Sequence, residues 1–129
     1  MSQQNESGYM TFTSAGTIAK HARVILGSGG TVTEAGLAEK EIGTATEEVV
    51  TSGDRVTVKL RSAPGTHRMI AKEAMAIGAL VYTEAGGKVQ DTAEATSFMV
   101  GHVVDTVAPT ADGDIVEVLY NNHGDTAAV

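Results

Sequence analysis

The chain contains no cysteine and no tryptophan, and only two prolines, two phenylalanines and three tyrosines. Without cysteine there is no disulfide, no thiolate metal site and no cysteine nucleophile. The shortage of aromatic rings removes the stacking platforms on which bases and sugars are held. Positive charge is also scarce: nine Lys and Arg stand against sixteen Asp and Glu, a formal charge of −7. Such a surface repels a phosphate backbone, so no nucleic-acid partner is expected. The longest uncharged apolar run, residues 74–82, is far short of the ~20 residues that span a bilayer as a helix, so no membrane partner is expected. Residues 1–8 are polar and lack the basic and apolar regions of a secretory signal. The chain therefore reads as soluble and not secreted by a cleavable signal, and its 129 residues fit one domain.

What the sequence does have is glycine, fifteen of them, and an internal repeat. Ile18-Ala19-Lys20 matches Ile70-Ala71-Lys72. Ile42-Gly43 matches Val100-Gly101. Gly53-Asp54-Arg55-Val56-Thr57-Val58-Lys59-Leu60 matches Gly113-Asp114-Ile115-Val116-Glu117-Val118-Leu119-Tyr120. The landmarks keep their order, which marks a duplicated supersecondary unit. Two units are too few for a solenoid, so the expectation is one domain with internal two-fold pseudosymmetry. The expected layout is an N-terminal arm over 1–13, a single β domain over 14–120 and a loose C-terminal tail over 121–129. Repeat one runs from about 14 to 62, and repeat two from about 66 to 120.

Each copy reads as short strands separated by glycine turns. In copy one, residues 22–26, 31–33, 41–46 and 55–60 are expected strands, with Gly27-Ser28-Gly29-Gly30 as a hairpin turn. The alternation in 55–60 places Val56, Val58 and Leu60 on one face. In copy two, residues 79–83, 88–90, 98–105 and 114–120 follow the same plan. This predicts an all-β fold, a small barrel or sandwich built from two pseudo-symmetric repeats with a flexible N-terminal arm. Residues 33–41 and 72–77 contain helix formers, enough for one or two turns. Tyr9-Met10-Thr11-Phe12-Thr13 is rich in aromatic and β-branched types and forms a candidate strand outside the repeat. Met69, Ile70, Met75 and Ile77 are assigned to the core in preference to a subunit interface.

No catalytic constellation emerges. His21, His67, His102 and His123 have no metal-ligand spacing and fall at non-equivalent places in the two copies. There is no Gly-x-Ser-x-Gly elbow, and the glycine turn at 27–30 lacks the lysine and helix of a phosphate loop. Asp54 and Asp114 occupy equivalent Gly-Asp turns, which points to turn chemistry; Asp112-Gly113-Asp114 could at most hold a cation weakly. Glu73-Ala74-Met75 resembles the hairpin tip of biotin-carrier domains, but Ala76 stands where the modified lysine would be. No catalytic, cofactor or metal residues are therefore assigned, and no cofactor is expected.

The ordered set is more specific than any one motif. A glycine-rich hairpin, Ile42-Gly43 and Gly53-Asp54-Arg55-Val56-Thr57-Val58-Lys59-Leu60, followed by the same series ending in Gly113-Asp114-Ile115-Val116-Glu117-Val118-Leu119, resembles the small capsid decoration (cement) proteins of tailed bacteriophages over residues 14–120. The resemblance implies an all-β protein with no enzymatic activity. It implies a place on the outer capsid surface of the virion, the major capsid protein as partner, and self-association with a trimer favoured. Tyr9, Met10, Thr11, Phe12 and Thr13 are the candidate shell-binding arm, because a β-prone segment can add to an exposed sheet edge. The alternative from the same reading is an oligomeric structural or adhesive module of a phage tail or fibre. A small hydrolase is a distant third.

Overall fold

The computed structural model describes residues 7–121, and all of its regular elements are strands apart from two short 3-10 turns. Ten strands run in chain order: β1 Tyr9–Ser14, β2 Arg23–Leu26, β3 Thr31–Glu34, β4 Gly43–Ala45, β5 Arg55–Leu60, β6 His67–Ala71, β7 Leu80–Thr83, β8 Lys88–Gln90, β9 Met99–Val103 and β10 Ile115–Tyr120. The all-β expectation holds, but the two repeats do not share one barrel. The first five strands close a barrel in the order β1-β3-β2-β4-β5, and the last five close another in the order β10-β6-β8-β7-β9.

The inward residues follow from strand alternation. Val24, Val32, Val56 and Val58 fill the first barrel; Met69, Val81, Val89, Val116 and Val118 fill the second. Each barrel thus has its own core. Ile70 is the bridge: it lies on β6, yet packs into the first barrel's cluster. Of the four residues assigned to the core, Met69 and Met75 are in it, Ile70 is buried between the barrels, and Ile77 is exposed.

The strand ladders correct the register of the repeat. β1 pairs in parallel with β3 through Thr13↔Thr31 and Ser14↔Val32, and β6 pairs in parallel with β8 through Ile70↔Lys88 and Ala71↔Val89. Ile70 is therefore equivalent to Thr13, not to Ile18. The counterpart of Ile18 is Met75: their N–H groups donate to the Val49 and Pro109 carbonyls at 2.9 and 3.2 Å, tying matching loops across the barrel ends. The shared Ile-Ala-Lys letters are coincidental. It follows that Tyr9–Ser14, expected outside the repeat, is the first strand of the first barrel. Residues 1–6 of the expected arm, and all but Asn121 of the expected tail, lie outside the described residues.

The expected hairpin turn at 27–30 is present and recurs at Ala85–Gly87, both as 3-10 turns. Gly29 and Gly86 take φ of 70° and 72°, a region that favours glycine. The two expected helical stretches are not helical. In 35–42 the carbonyls of Gly36 and Glu39 accept hydrogen bonds from the Arg23 side chain, which pins this stretch as an irregular loop. The hydrophobe-Gly pairs also have a reason. A Cβ on Gly43 would lie 2.2 Å from the Lys59 carbonyl oxygen, and one on Gly101 would lie 1.9 Å from that of Leu119. The neighbouring strand occupies the space where a side chain would start.

Candidate functional site

The most concentrated chemistry is buried at the joint between the two barrels. Arg23, the first residue of β2, is fully buried. Its Nε donates to the Lys88 carbonyl at 2.8 Å. Its Nη1 donates to the Glu39 carbonyl at 3.2 Å and to the Glu41 carboxylate at 3.0 Å. Its Nη2 donates to the Gly36 carbonyl at 3.1 Å and to the Glu84 carbonyl. The five N–H donors of a guanidinium are thus all used, and two of the acceptors belong to the opposite barrel. Burial of this cation is tolerable because Glu41 is buried beside it.

Cross-strand pairing places Arg23 beside Thr44, and Thr44 beside Lys59. Residues opposite each other in a ladder point to the same side, so these three form one row on the outer face of β2, β4 and β5. This row docks on the second barrel. Lys59 Nζ donates to the Thr66 carbonyl, and Thr44 is buried. The second barrel answers with its β7–β8 turn and β6. The Gly87 N–H donates to the Ala35 carbonyl at 2.8 Å, Thr83 Oγ1 donates to the Leu37 carbonyl, and Ile70 packs into the first core. A Cβ on Gly87 would meet the Ala22 Cβ at 2.9 Å, so close docking requires glycine there. Different faces of the two barrels are used. The expected two-fold relation is therefore replaced by a head-to-tail one.

Beside this row the buried His67 stacks edge-on against Tyr120, with ring centroids 4.7 Å apart. Its Nε2 is 2.8 Å from the Leu60 carbonyl, which can only accept, so the neutral ring carries its proton on Nε2. Nδ1 is buried without a partner. Burial lowers the His67 pKa most, the Leu60 hydrogen bond opposes it, and nearby Lys59 lowers it further. The Tyr120 hydroxyl is buried facing Glu41 without a well-formed hydrogen bond. Burial first, and the Glu41 charge second, hold that phenol protonated well above its ordinary range. The Arg61 guanidinium sits 5.1 Å from the Tyr120 ring centroid.

A cleft of about 350 Å³ opens along the same joint, lined by Tyr9, His21, Thr44, Lys59, Thr66, Arg68 and Glu117 among others. His21 has its pKa lowered by burial, then by Lys20 and Arg68. Thr66 Oγ1 is held by Glu117 at 3.2 Å. Cations and hydroxyls are gathered here, without a carboxylate bonded to the His21 ring among the described residues. Among them, too, no three His, Asp or Glu converge as a metal site. Asp112, a weak cation-site candidate, is paired with Lys88 at 2.8 Å and Lys72 at 3.9 Å. Asp114 does turn work: its Oδ2 accepts from the Thr110 and Ala111 N–H groups at 2.9 and 3.1 Å, which lowers its pKa. His123 lies outside the described residues.

The expected shell-binding residues are part of the first barrel's wall. Tyr9, Met10, Thr11, Phe12 and Thr13 pair with Lys59, Val58, Thr57, Val56 and Arg55 of β5. Phe12 packs against the first core, while Tyr9, Met10, Thr11 and Thr13 are exposed. On its other edge β1 meets β3 only at Thr13 and Ser14. The sequence did not single out Arg23, nor pair it with Glu41, nor pair His67 with Tyr120. An arginine inside the apolar run 22–26 was the one available signal.

No protein-family model and no curated protein matches the chain. Among solved structures the fold is similar to the crystal structure of the head fiber gp8.5 N base in bacteriophage phi29. The TM-score is 0.72 at 16% identity, covering 88% of this chain and 92% of that one.

Proposed function

We propose that this chain is a non-enzymatic structural component of a bacteriophage head, carried on the outer capsid surface of the virion and bound to the major capsid protein. The observation that carries the reading is the two-barrel fold, which follows the base of a phage head fibre across nearly its full length. The sequence resemblance to capsid decoration proteins points to the same location. Two finer roles follow. As a decoration protein it stabilises the expanded shell, because a protein that binds one state preferentially shifts the equilibrium towards it. As a fibre base it anchors an appendage, the role that the phi29 likeness favours. Both predict self-association, a trimer being favoured, since symmetric attachment multiplies modest contacts.

Residues Tyr9–Thr13 stay the proposed shell contact. They now act from a barrel strand, whose edge at Met10–Phe12 is not covered by β3. Deleting the segment would remove a barrel wall, so binding is better probed by Thr11→Pro, which blocks strand addition at that edge.

The test is co-sedimentation with heads of the phage whose genome encodes the chain. Saturation at a fixed ratio to shell subunits is the expected result. Heads that then survive a higher temperature identify decoration; bound heads with unchanged thermal stability identify a fibre base. Failure to bind the heads at any concentration refutes both.

A further inference from the structure

The second barrel carries the equivalent of the docking row, and among the described residues nothing is docked on it. In the first barrel the row Arg23–Thr44–Lys59 makes the joint. The same ladder positions in the second barrel are Leu80, His102 and Leu119, paired Leu80↔His102 and His102↔Leu119. Leu80 is 45% exposed and Leu119 is 40% exposed. The buried Arg23 and the half-buried Lys59 of the first barrel are thus replaced by exposed leucines in the second.

The complementary surface changes in the same sense. In the joint, Arg23 of the row bonds the Glu84–Lys88 turn, and Thr83 beside that turn holds the 35–42 loop of barrel one. Their counterparts in the first barrel are Leu26 and the turn at 27–31. Leu26 is 54% exposed where Thr83 is buried. The turn keeps its shape, with Gly30 and Gly87 at φ of 75° and 72°. Nothing lies within 4 Å of a Cβ built on Gly30, whereas Gly87 is pressed against Ala22. The second barrel therefore presents an apolar version of the docking row, and the first presents an apolar version of its receptor.

We infer that a second copy of this chain is the occupant: Leu80, His102 and Leu119 of one copy dock on Leu26 and the 27–31 turn of the next, repeating the joint between the barrels. Such a contact is heterologous. It uses two different patches and closes into a ring when the rotation per copy allows it. The inference stands on the joint alone and does not depend on head binding, so the two are tested separately.

The test is molar mass by light scattering on the full chain without heads, with circular dichroism to check folding. Wild type is expected well above the 13.3 kDa monomer. Leu80→Asp/Leu119→Asp spoils one patch and Leu26→Asp spoils the other, so each variant is expected to run as a folded monomer. An equimolar mixture of the two restores one good pair of patches and is expected to form a species of two chains and no larger. A monomeric wild type, an oligomer that survives both sets of substitutions, or a mixture that stays monomeric each overturns the proposal.

Discussion

Replacing Arg23 by Met removes a side chain that ties together both barrels and the 35–42 loop. The methionine fills much of the space but supplies none of the five hydrogen bonds. Glu41 would be left as a buried charge without its cation, and the carbonyls of Lys88, Glu39, Gly36 and Glu84 would lose a donor. Breaking one side of a buried ion pair costs about 3–5 kcal/mol, a large share of the ~5–15 kcal/mol that holds a typical domain folded. Urea unfolding followed by tyrosine fluorescence suits the measurement, because there is no tryptophan and Tyr120 lies at the joint. Arg23→Met should lower the unfolding free energy by that amount and move the urea midpoint down in proportion. Arg23→Met/Glu41→Gln should recover part of the loss, because it removes the stranded charge, with a coupling of about 1–3 kcal/mol between neighbours in one network. A loss under about 1 kcal/mol for the single variant, or a double variant no more stable than the single, would refute the view that this pair organises the joint.

Two further outcomes follow from the geometry. The His67 pKa is held below its ordinary 6.5, so the unfolded chain binds the extra proton first; stability should be full above about pH 6.5 and fall as the pH drops from there towards the folded pKa. His67→Gln should flatten that slope in pH-dependent thermal melts, leaving the smaller contribution of His21, which titrates in the same direction; an unchanged slope would contradict the assignment. Gly101→Ala should cost about 3 kcal/mol or more by overpacking, because its Cβ meets a strand carbonyl, while Gly29→Ala, with open space but a φ of 70°, should cost only about 1–2 kcal/mol; equal midpoints would undo the distinction.

How much of this could be read in advance depends on how far apart the interacting residues lie. Strands β5 and β8 were visible because their alternation and bounding glycines are local facts, and β5 falls on the predicted 55–60. The glycine turns were visible for the same reason. The first strand was visible as a strand but not as a member of the repeat, because its sequence YMTFTS shares almost no letters with the HRMIA of its counterpart β6; a barrel wall constrains which faces are apolar, not which residues supply them. Letter similarity misled in the opposite direction at Ile18 and Ile70, whose roles differ. Residues 33–41 looked helical on propensity, but a guanidinium from another strand bonds the Gly36 and Glu39 carbonyls. The joint itself rests on hydrogen bonds such as Arg23 to Lys88, 65 residues apart. No local pattern records such a pairing, and the row of exposed leucines becomes meaningful only once its buried counterpart is known.

The contrast between the two rows has a physical rationale in the proposed assembly. Within one chain the linker between β5 and β6 holds the second barrel close to the first, so the joint forms at high effective concentration. It needs orientation more than raw affinity, and a buried arginine with five directed hydrogen bonds supplies orientation. Contact between chains must also overcome the loss of translational and rotational freedom, commonly put at ~4–15 kcal/mol. Directed polar contacts, which exchange water for protein partners at little net gain, are poorly suited to that. Apolar area is better suited, and Leu80, Leu119 and Leu26 provide it at the positions where Arg23, Lys59 and Thr83 stand in the joint. A duplicated barrel can in this way keep one docking geometry and use it twice, polar where the partner is tethered and apolar where it must be captured.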